Sequence, residues 1–87
     1  MWYVYFLKLR NNHIYVGSTN NLRRRLLSHQ NGEVKSTKLI QPFNLKCYIA
    51  VETEKVARSL ETFFKSGSGK AVAFKRFWDA SQVDTPP

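Results

Sequence analysis

From Trp2 to Leu9 almost every position is aromatic or aliphatic, so both alternating faces of a strand-length segment are apolar. This predicts a central β-strand covered on both sides. Turn chemistry follows in Arg10-Asn11-Asn12-His13, then a shorter apolar run, Ile14-Tyr15-Val16-Gly17, and the two runs read as an antiparallel hairpin. Tyr3 and Tyr5 share one face of the first strand, and Tyr15 shares a face with His13 and Gly17 in the second. Ser18-Thr19-Asn20-Asn21 supplies capping side chains, after which Leu22, Leu26 and Leu27 mark a helix to about Asn31, ended by Gly32. Residues 32–43 read as a basic loop with Lys35, Lys38 and Pro42. Leu45 to Val51 reads as a third strand. Thr53 then caps a helix whose stripe, Val56, Leu60, Phe63 and Phe64, follows the 3.6-residue period. Ser66-Gly67-Ser68-Gly69 is expected to break that helix, leaving a last short helix from Lys70 to Trp78 and a flexible tail over residues 79–87.

The element order is β-β-α-β-α-α, which defines an α+β domain: a small three-stranded antiparallel sheet flanked by helices. A chain of 87 residues supports one core, here spanning residues 1–78. With 43% hydrophobic residues and six Phe, four Tyr and two Trp, that core needs no disulfide staple.

Charge narrows the partners. Fourteen Lys and Arg against six Asp and Glu leave a formal charge of +8, and Glu33 is the only acid before Glu52. The first half, with Lys8, Arg10, Arg23, Arg24, Arg25, Lys35, Lys38 and Lys46, carries a field suited to a phosphate backbone. An anionic membrane is a poorer match, because no long basic amphipathic helix is present. Cys47 is the only cysteine, which excludes an intramolecular disulfide and a cysteine-based zinc site and fits a reducing, cytoplasmic compartment with no disulfide-linked partner. The apolar N-terminal run is stopped by Lys8 and reads as neither signal peptide nor membrane span.

Some side chains carry chemistry beyond charge. On a helical wheel Arg25 and His29 lie four apart beside the apolar stripe, whereas Arg24 is expected to point well away. A guanidinium fork next to an imidazole suits gripping a phosphate and moving a proton. By spacing alone, both residues are equally consistent with a solvated helix face. Glu61 falls at the edge of the second helix's stripe beside Ala57 and Phe64. There it either holds a hard cation or pairs with Arg58 or Lys65 along the helix. Tyr5 and Tyr15 read, by themselves, as ordinary sheet aromatics.

Taken in order, Tyr3-Val4-Tyr5, Tyr15-Val16-Gly17, Ser18-Thr19-Asn20-Asn21-Leu22 leading to Arg25 and His29, and Ala57-Arg58-Ser59-Leu60-Glu61 followed by Lys65 resemble the GIY-YIG endonuclease family. Only Tyr5 matches the first motif strictly, and Tyr15-Val16-Gly17 differs from Tyr-Ile-Gly by one methylene. The resemblance spans about Trp2 to Trp78. It implies a DNA endonuclease, of the kind used in repair or recombination, working with one Mg²⁺ or Mn²⁺ held by Glu61. Arg25 would be the phosphate ligand and His29 the proton-transfer partner, with Tyr15 drawing on His29 as general base and Tyr5 orienting water or phosphate. Between Tyr15, Tyr5 and His29 the identity of the base stays open. Arg23, Arg24, Lys35, Lys38, Lys65 and Lys70 are the expected backbone contacts, giving structure-directed or weakly specific binding. The alternative is a non-catalytic basic domain that grips nucleic acid with the same residues. Ser66-Gly67-Ser68-Gly69-Lys70 imitates a phosphate loop but lacks its spacing.

Overall fold

The computed structural model describes residues 1–38 and 41–77, so the expected helix end at Trp78 and the tail 79–87 lie outside the described residues. Six elements follow in the expected order: β1 (Trp2–Lys8), β2 (Ile14–Thr19), α1 (Leu22–Gln30), β3 (Asn44–Val51), α2 (Glu54–Lys65) and α3 (Gly67–Phe77). The sheet is antiparallel with order β2-β1-β3, placing the most apolar segment in the middle.

Burial on both faces of β1 explains its unbroken apolar run. On one face Val4 and Phe6, with Val16, pack against Ala57, Leu60 and Phe64 of α2 and Ala73 of α3. Phe6 and Phe64 meet edge to face at 5.1 Å. On the other face Tyr5, Leu7 and Leu9 lie with Tyr15 beneath Leu22 and Leu26 of α1 and beside Phe43. Tyr5 pairs across the sheet with Gly17 on one side and Tyr48 on the other, and Leu7 pairs with Tyr15. Because cross-strand partners share a face, all four tyrosines of the chain lie on the α1 side.

The caps are local and specific. Asn21 is the residue selected from the polar run before α1, its side chain accepting from the Arg24 amide at 3.0 Å. Gly32, at φ 74°, turns the chain after α1 as expected. Thr53 caps α2 by accepting from the Val56 amide at 3.2 Å.

Three expectations change. Leu27, Val56 and Phe63 are exposed, because the buried stripes are narrower than the apolar runs: Leu22 and Leu26 on α1, and Ala57, Leu60 and Phe64 on α2. Strand β2 continues past Gly17 to Thr19, which carries Ser18 into the sheet. The second helix ends at Lys65 as expected, but the last helix starts at Gly67 and not at Lys70, so Gly67, Ser68 and Gly69 form its first turn. Ser66 ends α2 and its hydroxyl accepts from the Gly69 amide at 3.0 Å, while the Lys70 amide donates to the Ser66 carbonyl at 2.9 Å. A side chain at Gly69 would collide with the Phe63 carbonyl, so glycine there permits close packing of α3 on α2. Among the described residues no helix is long and apolar enough to cross a membrane.

Candidate active site

The sheet register and the α1 cap bring Tyr5, Tyr15, Arg25 and His29 together. Arg25 donates from Nε to the Tyr5 hydroxyl at 3.2 Å, and that hydroxyl lies 2.9 Å from His29 Nε2. His29 Nδ1 lies 2.8 Å from the Thr37 hydroxyl, which donates to the Val34 carbonyl at 3.4 Å. Each hydroxyl has one proton, so the chain has a polarity. With the Thr37 proton directed at the Val34 carbonyl, the tautomer that fits the row has Nδ1–H donating to Thr37 and Nε2 accepting from the Tyr5 hydroxyl. Gln41 holds the same region by donating to the His29 carbonyl, and to that of Gln30 at 3.3 Å.

Burial sets the protonation of this row. His29 is wholly buried, and desolvation, helped by the positive charge of Arg25, lowers its pKa to about 4. It is therefore neutral at physiological pH. Desolvation pushes the Tyr5 phenol up to about 12 despite the opposing hydrogen bond from Arg25, so Tyr5 keeps its proton. The hydrogen bond to Tyr5 raises the Arg25 pKa further against desolvation. Tyr15 is only half buried. Its ring sits edge-on to His29 at 5.0 Å, and its hydroxyl interacts with both Tyr5 and Arg25. The expected direct pairing of Tyr15 with His29 is thus replaced by a pairing of Tyr5 with His29, because Tyr5 lies on the central strand directly beneath α1.

Because the folded pKa of His29 lies below its ordinary 6.5, the unfolded chain takes up this proton first as pH falls. The stability linked to His29 is complete above pH 6.5 and drains away toward pH 4, approaching about 3 kcal/mol. Urea midpoints should accordingly drop between pH 7 and 4.5, and a flat midpoint across that range would contradict the buried neutral imidazole.

Gly17 explains how Tyr5 reaches this position. It pairs opposite Tyr5, and a β-carbon there would fall on the tyrosine hydroxyl and ring. Tyr5 is pinned by Arg25 and His29 and has no room to yield. Gly17→Ala should cost about 1–3 kcal/mol in stability and displace the hydroxyl row. Urea unfolding checks this directly, with wild-type stability as the contrary result.

Glu61 stands on the opposite face of the sheet. Ser18, one residue before the end of β2, points to the α2 side and donates to Glu61 Oε1 at 2.5 Å, while Lys65 pairs with Oε2 at 2.7 Å. Burial works to raise the Glu61 pKa, but the Lys65 and Ser18 hydrogen bonds outweigh it and hold the carboxyl below its ordinary value. Of the two expected roles the structure shows the pairing with Lys65, and it directs the other carboxylate oxygen at the hairpin. Arg58 pairs with Glu54 instead.

A cleft of about 390 Å³ lies between α1, β2 and α2, lined by Trp2, Ser18, Thr19, Asn20, Arg24, Arg25, Ser28 and Arg58. It links the two faces, since Arg25 reaches back to Tyr5 and Ser18 reaches back to Glu61. Arg24 lines the same cleft as Arg25, which corrects its expected placement: adjacent helical positions differ by only about 100°, and this cleft is wide enough to take both. Arg23 lies on the other flank of α1. Lys35, Lys38, Lys65 and Lys70 are exposed.

Sequence reading missed Thr37, Gln41, Ser18 and Arg58. For Thr37 the available signal was a β-branched pair, Val34 and Thr37, spaced by three; both are buried. Among the described residues no cluster of three His, Cys, Asp or Glu side chains is present. Cys47 packs against the α2-side core with its thiol pKa raised by burial.

The model of the GIY-YIG catalytic domain family matches residues 1–75, which take in the hairpin, α1 and α2 that build this site. The chain belongs to the GIY-YIG family, a family of nucleases. Within it, the relatives are UPF0213 proteins. One from Clostridium perfringens is 38% identical over 66 residues, covering 75% of this chain and 71% of the relative. Another, from Bacillus licheniformis, is 35% identical over 69 residues, covering 78% and 71%. The solution NMR structure of a UPF0213 protein from Bacillus halodurans superposes with a TM-score of 0.59 at 26% identity, over 95% of this chain and 94% of that one. These names state no reaction.

Proposed function

We propose that the protein is a metal-dependent endonuclease that hydrolyses DNA phosphodiester bonds. The observation that carries this reading is the polarised hydrogen-bond row Arg25–Tyr5–His29–Thr37, buried at the histidine end and open at the arginine end to a basic cleft. A neutral imidazole buried behind a tyrosine hydroxyl accepts its hydrogen bond and fixes its direction, an arrangement suited to positioning groups at a reacting phosphate.

In this scheme Arg25 grips the scissile phosphate from the cleft while its Nε holds Tyr5. Water attacks phosphorus as the bond to the 3′ oxygen breaks. Tyr15, the less buried tyrosine, takes the water proton and releases its own to the solvent to which it is half exposed, while His29 Nε2 accepts from Tyr5 and Thr37 keeps the imidazole in that tautomer, holding the row in place. Tyr5 orients and does not ionise, since a phenol at about 12 keeps its proton at neutral pH. Tyr5 and His29 are too buried to meet DNA, which leaves Tyr15 and Arg25 as the groups at the reacting atoms.

The donor set fits a Mg²⁺ or Mn²⁺ ion and not zinc. A hard cation that retains most of its waters needs one or two carboxylates, and Glu61 is one, with the Ser18 hydroxyl beside it. Lys65 is more than half exposed, so its pair with Glu61 is weak enough to open. An ion held there would stabilise charge on the phosphate and the departing oxygen.

Incubation with supercoiled, linear, branched and flapped DNA in Mg²⁺, with and without chelator, tests the reading. Chelator-sensitive cleavage is the expected result, and binding should weaken steeply between about 50 and 200 mM salt. The Glu61–Lys65 pair favours one other reading, a basic DNA-binding domain whose carboxylate is structural. Tight, salt-sensitive binding without cleavage of any of these substrates would select it.

A further inference from the structure

A second cleft, of about 590 Å³, runs along the other flank of α1, between the helix and the β3 edge of the sheet. Its wall carries the two tyrosines that the hydroxyl row does not use. Tyr3 and Tyr48 meet edge to face at 5.9 Å and 69°, and Tyr48 is 52% exposed although it sits on the face that buries Tyr5. Leu27, 49% exposed, and Arg23 border the same space. Leu27 and Tyr48 are thus two of the large apolar side chains left exposed, and both line this one cleft.

Asn20 lines both this cleft and the Arg25 cleft, so the two share a wall at the start of α1. A strand whose phosphate is held by Arg25 can continue past Asn20 into this cleft. Bases inside a duplex have both faces occupied, whereas an unpaired base can lay one face on an aromatic ring. The exposed Tyr48 ring offers that surface, the Leu27 side chain offers an apolar border, and the Arg23 guanidinium can stack or meet the next phosphate. The positive charge and the continuity with the Arg25 cleft favour nucleic acid over an apolar protein segment as occupant.

We propose that Tyr48, with Tyr3, Leu27 and Arg23, forms a subsite for an unpaired DNA base next to the scissile phosphate, so that the enzyme prefers DNA with single-stranded or branched character. The proposal names the substrate class of the site above and rests on that nuclease reading.

The test uses the full chain, in chelator, with a 2-aminopurine-containing oligothymidylate and a blunt duplex of the same length. The wild-type protein should quench the 2-aminopurine. Tyr48→Ala should lose the quench and weaken oligothymidylate binding about tenfold with duplex binding unchanged, and Tyr48→Phe should keep both. Tyr48 is half exposed on an edge strand, and a matching melting temperature confirms that the alanine variant folds. Unchanged quench and affinity in Tyr48→Ala, or an equal loss for duplex, overturns the subsite. The assay needs no cleavage, so the two readings fail separately. A wild-type protein that cleaves DNA alongside an unaffected Tyr48→Ala variant removes only the subsite. Tyr48-dependent quenching by a protein that cleaves nothing supports the subsite and removes only the nuclease.

Discussion

Glu61→Gln is expected to reduce Mg²⁺-supported DNA cleavage by about a thousandfold or more while leaving DNA affinity within about twofold. The substitution preserves size, and its amide oxygen can still accept from Ser18, so the hairpin-to-α2 contact survives. What disappears is the negative charge needed to hold a cation. Stability should change by no more than about 1 kcal/mol, since the Lys65 pair that is lost is solvent-exposed on the lysine side. Equal melting temperatures with a collapsed cleavage rate would separate chemistry from folding. Near wild-type cleavage by this variant would remove Glu61 as the metal-holding residue.

The fold was legible because its elements are marked by features that act locally. Apolar residues on both faces of Trp2–Leu9 imply a covered central strand, and Asn21 and Thr53 are side chains that cap helices by themselves. What stayed hidden depends on contacts between segments distant in sequence. Gly69 looked like a helix breaker because its role, close approach to the Phe63 carbonyl, exists only once α3 packs on α2. Thr37 looked like part of a basic loop because its partner, His29 Nδ1, is defined only when the chain folds back over α1. The same applies to the tyrosines. Spacing placed Tyr3 and Tyr5 on one face, but only the β1–β3 register adds Tyr48 to it and only the position of α1 divides the four into a hydroxyl row and a second cleft.

Arg25→Ala is expected to slow single-turnover cleavage at saturating enzyme by about a hundredfold, on the order of 3 kcal/mol of transition-state stabilisation. Two losses contribute. The cleft loses the guanidinium that grips the phosphate, and the buried Tyr5 hydroxyl loses the Nε donor that orients it toward His29. Arg24 is unsuitable as a charge control, because it lines the same cleft and its removal would also touch the substrate. Arg76, exposed in the last turn of α3, serves instead: Arg76→Ala removes the same formal charge and should lower only sequence-independent affinity. Lysine at position 25 should not restore the rate, since one ammonium cannot hold Tyr5 and present a planar pair of donors to phosphate at the same time. Equal losses for Arg25→Ala and Arg76→Ala at saturation would mean that the basic surface acts only as a field. Selective loss at position 25, unrelieved by lysine, ties the rate to the geometry that joins the cleft to the buried histidine.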